Sequence, residues 1–193
     1  MDKKAPGEVL VDAQQMEKVK AVFLDRDGTI IEDVNYLSRL EDLRLLPLAK
    51  EGLALLKDCG YRLIVVTNQS GIGRGYFTAQ FVEETHRVLN EMLGGLIDAF
   101  YYCPHTPEDN CSCRKPKTGM IDEAVERFNI DRQRSFVVGD KESDIELGLN
   151  AGITPLLIVS RRNEHLLATT KARRFFSNLF EVARWICRTD SMA

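Results

Sequence analysis

An alternation of short, near-continuous apolar runs with longer stretches of helical periodicity constrains this chain more than anything else in it. Val19–Leu24, Tyr61–Val66, Asp98–Tyr102, Ser135–Val138 and Ile153–Val159 read as strands. Between them, Leu48–Cys59, Thr78–Leu93, Gly119–Phe128 and Ser143–Leu149 read as helices, the first stopping at Gly60. Arg174–Cys187 reads as a short strand and a last helix, with Leu179, Val182, Ala183 and Ile186 on one face. Apolar strands alternating with helices are the mark of a parallel sheet covered on both faces. The predicted fold class is α/β, a Rossmann-like three-layer sandwich with a mainly parallel sheet. Residues 1–18 are predicted to be a polar N-terminal arm and residues 19–190 a single domain.

A chain of 193 residues holds one full core and is too short for two ordinary domains. A net charge of -3 gives no general attraction to nucleic acid or to an anionic membrane. No apolar run reaches membrane-spanning length, and Met1–Val19 lacks the apolar core of a signal peptide. The expected setting is cytoplasmic, and nothing demands more than a monomer. Five cysteines in that setting predict thiols or metal ligands rather than a disulfide framework. Cys59 and Cys187 are expected to be small core residues, and His86 and His165 structural or surface residues. Arg161, Arg162, Lys171, Arg173 and Arg174 read as a solvated basic surface.

Open α/β sheets bind ligands beyond the carboxyl ends of their strands, so chemistry is sought there. The first strand runs into Asp25-Arg26-Asp27-Gly28-Thr29, whose two carboxylates, two residues apart, project to the same side of an extended chain. The fourth ends in Gly139-Asp140-Lys141-Glu142-Ser143-Asp144. Acidic strand ends that meet in space repel unless a cation sits between them, and hard oxygen ligands suit Mg²⁺. The second strand ends in Thr67-Asn68-Gln69-Ser70-Gly71, which offers a hydroxyl and backbone N–H groups to a phosphoryl oxygen. After the third strand, Cys103, His105, Cys111 and Cys113 have the density and softness of a structural Cys₃His zinc site. That loop leads straight into the cations Arg114 and Lys115.

Taken together, Asp25-x-Asp27-Gly28-Thr29, Thr67-Asn68, Lys115-Pro116 and Gly139-Asp140-x3-Asp144 resemble the ordered motifs of the haloacid dehalogenase (HAD) superfamily of phosphotransferases. The resemblance implies a HAD-like fold, with no room between motifs for a large cap domain. It implies Asp25 as nucleophile, Asp27 as general acid and base, Thr67 as a phosphoryl ligand and Lys115 as the balancing cation. Asp25, the Asp27 carbonyl and Asp140 would hold Mg²⁺, with Asp144 supporting that shell. The zinc loop narrows the resemblance to a subgroup containing heptose-bisphosphate and histidinol-phosphate phosphatases. Thr67–Phe77, Lys117-x-Gly119-Met120 and Val138–Lys141 look like the heptose type, while the compact cysteine loop also looks like the histidinol type.

The resemblance places substrate contacts at Asp33, Asn35, Tyr36, Thr67, Asn68, Gln69, Ser70, Lys115 and Lys141. Arg114, and less directly Arg74, would meet a second phosphate. It further implies a small sugar phosphate as substrate, in the supply of nucleotide-activated heptose for lipopolysaccharide or other surface polysaccharide. Histidinol phosphate and a non-catalytic, zinc-stabilised binding module stand as alternatives. Retention of both Asp25 and Asp27 speaks against a binder, and the acidic balance against a polynucleotide substrate.

Overall fold

In a computed structural model, residues 17–190 are described, so most of the proposed N-terminal arm lies outside the described residues. Six strands form one sheet in the order β3-β2-β1-β4-β5-β6, every neighbouring pair parallel. They are β1 (Ala21–Leu24), β2 (Arg62–Asn68), β3 (Ala99–Cys103), β4 (Phe136–Gly139), β5 (Thr154–Ile158) and β6 (Phe175–Phe176). The helices are α1 (Ala49–Asp58), α2 (Ala79–Met92), α3 (Gly119–Phe128), α4 (Glu142–Ala151) and α5 (Leu179–Asp190). The predicted elements are all present, with ends shifted by a few residues.

Strand alternation sorts the core into two layers. Val22, Leu24, Leu63 and Val65 point to one face, where α1, α5 and the buried side of α2 cover them. Ala21, Phe23, Ile64 and Val66 point to the other, under Met120, Ile121 and Ala124 of α3 and Leu147 of α4. Both faces are dry, which is why these strands read as unbroken apolar runs. Thr78 caps α2 by accepting a hydrogen bond from the Phe81 amide at 3.2 Å. The links between β1, β2 and β3 hold α1, α2, a short 3-10 turn at Leu40–Asp42 and irregular loops, so no cap domain stands over the strand ends among the described residues.

The cysteine expectation needs correcting. Cys59, just past α1, and Cys187 of α5 are joined in a disulfide, their Cα atoms 6.0 Å apart across 128 residues. The two helices lie side by side so closely that a Cβ on Gly52 would meet the Leu179 carbonyl at 2.8 Å. That approach brings the two thiols together.

Candidate active site

Asp25 follows β1 and stays in the sheet's register, its amide donating to Val138 O at 2.9 Å. The chain then turns at Gly28 with φ 83°, where a Cβ would come within 2.2 Å of the Asp140 carboxylate. Gly139 is held to glycine in the same way, because its Cβ would lie 2.3 Å from the Asp144 carboxyl carbon. Bare backbone at these two points lets the acidic ends of β1 and β4 meet. Lys115 reaches in from the far side of β2. Its Nζ donates to Asp25 Oδ1 at 2.8 Å and to Val66 O at 3.0 Å, and pairs with Asp144 Oδ1 at 2.7 Å.

Lys115 thus pairs with two of three carboxylates that meet here. Oxygens of Asp25, Asp140 and Asp144 all lie within 4.8 Å of one another. Burial alone would lower the Lys115 ammonium, but Asp144 and Asp25 outweigh it and raise it, so the lysine stays charged. The surplus negative charge falls on the acids. Burial, then the charge of Asp25, pushes Asp140 up to about 7, and burial raises Asp144 as well. Asp140 Oδ1 is buried with no hydrogen-bond partner among the described residues. A buried, unpartnered carboxylate oxygen among like charges is the donor set a hard divalent cation requires, and Mg²⁺ fits it.

Asp27 is held differently, by Arg26, which the sequence reading left without a role and which in turn meets His86. The Arg26 guanidinium, only 2% exposed, donates from Nε to Asp27 Oδ2 and from Nη2 to Oδ1, both at 3.1 Å. Arg26 Nη1 also lies 3.4 Å from Nε2 of His86 on α2. Burial, then the Arg26 charge, lowers His86 to about 3, so the ring is neutral and Nε2 accepts a hydrogen bond from the arginine. Far from being a surface residue, His86 is buried and stacked on Phe100 with ring centres 4.5 Å apart. Gln69 Nε2 completes the group, donating to Asp27 Oδ2 and to Thr67 Oγ1, both at 3.0 Å. A cation lodged between two carboxylates in a buried motif was the available signal for Arg26. His86, sixty residues away, left none.

The cysteine loop packs against this centre. Sγ atoms of Cys103, Cys111 and Cys113 lie 2.9–3.5 Å apart, and His105 Nδ1 is 3.3 Å from Cys113 and 3.6 Å from Cys103. Zinc–sulfur bonds of about 2.3 Å ask for nearly this spacing around one ion, and four protein ligands leave no open position on it. The loop is tied to the end of β2. Gln69 N donates to Cys103 O at 2.8 Å and Gly73 N to Pro104 O at 3.0 Å. Asn68 and Lys115 exchange hydrogen bonds, Lys115 N to Oδ1 at 3.0 Å and Nδ2 to Lys115 O at 3.3 Å. Arg114 donates to His105 O at 3.1 Å and stands on the loop's rim. Arg74 is exposed and makes no contact with the carboxylates, and Ser70 is buried beside Gln69.

Asp33, Asn35 and Tyr36 form an exposed segment on the opposite flank. Asn35 and Tyr36 adopt positive φ, 54° and 68°, and Tyr36 meets Tyr76 edge-on with ring centres 5.0 Å apart. Lys141 Nζ donates to Asp33 Oδ2 at 3.1 Å. Burial would lower Lys141, but Asp25, Asp140 and Asp33 outweigh it and hold it charged. A cavity of about 770 Å³ opens here, bordered by Gly28, Asp33, Asp140, Lys141 and Arg162.

A protein from Helicobacter pylori (strain J99), named D-glycero-beta-D-manno-heptose-1,7-bisphosphate 7-phosphatase, is 42% identical over 171 residues, covering 86% of this chain and 97% of its own. The chain belongs to the heptose-bisphosphate phosphatase family. A relative from Photorhabdus laumondii, named for the alpha anomer of the same substrate, is 38% identical over 89% of this chain and 99% of its own. The HAD-hydrolase-like family matches residues 112–180. Among solved structures, the D,D-heptose 1,7-bisphosphate phosphatase from B. bronchiseptica, complexed with magnesium and phosphate, superimposes with a TM-score of 0.82 at 29% identity. That match covers 89% of this chain and 99% of the other. The chain is thus a HAD-type phosphatase, and nothing among these relatives supports the histidinol or binding-module alternatives.

Proposed function

We propose that this enzyme removes the 7-phosphate from D-glycero-D-manno-heptose 1,7-bisphosphate, using Asp25 as nucleophile and Asp27 as acid and base. The observation that carries the chemistry is Lys115 held between Asp25 and Asp144, with Asp140 unpartnered beside them. The names of the relatives support the substrate. An Asp25 oxygen attacks phosphorus as the bond to the 7-oxygen breaks, and Asp27 gives its proton to that departing oxygen. Water then attacks the aspartyl-phosphate, Asp27 takes the water's proton, and the phosphorus bond to Asp25 breaks to release inorganic phosphate. Asp25, the Asp27 carbonyl and Asp140 would hold Mg²⁺, which when bound offsets the charge of the transferring group. Arg26 and Gln69 aim Asp27, Thr67 supplies a hydroxyl to the phosphate, and Lys115 holds the Asp25 carboxylate in orientation.

Cys103, His105, Cys111 and Cys113 would hold a structural Zn²⁺, keeping Lys115 and Arg114 in place. Arg114 would take the sugar's other phosphate as a fork, and Asp33, Asn35, Tyr36, Asn68, Ser70 and Lys141 would line the sugar's approach. Among the described residues no helix is long and apolar enough to cross a membrane. The reading places the enzyme in the supply of nucleotide-activated heptose for surface polysaccharide. Phosphate release from both anomers of the heptose bisphosphate and from histidinol phosphate, with Mg²⁺ present, tests it. The expected result is loss of the 7-phosphate alone and no turnover by Asp25→Asn. Preference for histidinol phosphate would overturn the substrate, and substantial turnover by Asp25→Asn would overturn the covalent route.

A further inference from the structure

We infer that Arg162 is a positioning residue for substrate choice: from the turn after β5, it fixes the backbone of the Asp33–Tyr36 segment at the mouth of the site. The inference rests on the reading of that segment as a sugar contact. Arg162 Nη1 donates to the Asp33 carbonyl, 129 residues away. Asp33 is held at its other polar atoms too, Oδ2 accepting from Lys141 at 3.1 Å and Oδ1 from the Asn35 amide at 2.9 Å. The need for such anchoring lies in the next two residues. Asn35 and Tyr36 are consecutive non-glycine residues at positive φ, a conformation that persists only where neighbours enforce it.

The turn that carries Arg162 is itself rigidly seated. Asn163 is 7% exposed, and its Oδ1 accepts from Ser160 N at 2.7 Å. Its Nδ2 donates to Ile158 O at 2.8 Å and to Asp140 O at 2.6 Å. The turn is therefore pinned both to the end of β5 and to the backbone of the metal-binding carboxylate. Arg162 transmits that fixed position to Asp33 across the cavity that both residues border. The basic run Arg161-Arg162 is thus only partly the solvated surface its composition predicts. Arg162 bonds the Asp33 backbone rather than Asp25 or Asp27, so its effect is expected in selection rather than in chemistry.

The test compares wild type, Arg162→Ala and Arg162→Lys as full chains, on heptose bisphosphate and on p-nitrophenyl phosphate, which has no sugar. In Arg162→Ala, kcat/KM for the sugar relative to the aryl phosphate is expected to fall about tenfold, mainly through KM. Arg162→Lys, which keeps one donor, should recover part of it. Hydrogen exchange should quicken in the peptide spanning residues 33–37 while β1 stays protected. An unchanged ratio together with unchanged exchange at 33–37 would overturn the inference. Wild type inert toward heptose bisphosphate would instead overturn the proposed substrate, and the exchange experiment alone would then decide the role of Arg162.

Discussion

Replacing Lys115 by methionine removes one charge from the centre of the sheet while nearly preserving side-chain volume. The Lys115, Asp25 and Asp144 side chains are 3%, 5% and 1% exposed, so water cannot take over the lost contacts. Breaking a buried pair by deleting one partner costs about 3–5 kcal/mol. Against a total stability of about 5–15 kcal/mol for a typical domain, the variant should still fold, but close to its limit. The loss should depend on pH in a fixed direction. Asp144 already lies above its ordinary value of 3.8 through burial, and without Lys115 it must rise further. A carboxyl raised in the folded state binds a proton that the unfolded chain has released, so its favourable contribution is present at low pH and lost as pH rises. Urea melts of Lys115→Met should accordingly show a smaller deficit at about pH 5 than at about pH 8. Mg²⁺ should recover part of the deficit at the higher pH. Phosphate release should fall by about a hundredfold to a thousandfold, as for loss of a preorganised electrostatic group. A deficit equal at both pH values, or near-normal turnover, would refute the charge-balance reasoning.

Other outcomes follow from neighbouring contacts. Arg26→Met removes the fork that aims Asp27, and should slow a sugar phosphate by about tenfold to a hundredfold. It should slow p-nitrophenyl phosphate much less, because that leaving group needs little protonation; steady-state rates on the two substrates decide this. Metal analysis should find about one zinc per chain, and stripping it with a chelator, Mg²⁺ then restored in excess, should lower both the thermal midpoint and activity. A zinc-free protein with full activity would contradict the positioning role of the cysteine loop. Because Asp140 sits near 7, metal-free protein should lose stability as pH rises from about 4 to about 7, and Mg²⁺ should bind more tightly over the same interval. Thermal shifts with and without Mg²⁺ across that range provide the check.

The parts of this molecule that repeat a simple rule could be read before any coordinates. Strands buried on both faces advertise themselves as apolar runs, and the acids and lysine at their ends follow from where such sheets bind ligands. The cysteine loop was legible because its four ligands are local. What escaped were pairings set by the packing of distant segments. Cys59 and Cys187 each resemble an ordinary core thiol in a helical pattern, and only the close crossing of α1 and α5 joins them. His86 meets Arg26 because α2 seats it against Phe100 and Tyr102 of β3, within reach of the arginine that follows β1. Arg162 sits in a run of basic residues that would be solvated on most surfaces, and the seating of Asn163 against Asp140 sets it beside Asp33.

The crossing of α1 and α5 also sets a timetable for synthesis. The apolar face of α1 is covered by Leu179, Val182, Ala183 and Ile186, which belong to the last described element of the chain. At a synthesis rate of about 5–20 residues per second, on the order of ten seconds separate the making of α1 from the making of its cover. During that interval the nascent chain carries β1 with one face of its sheet unsealed. A messenger truncated before α5 should therefore yield a protein that contains every residue proposed for catalysis and nonetheless aggregates.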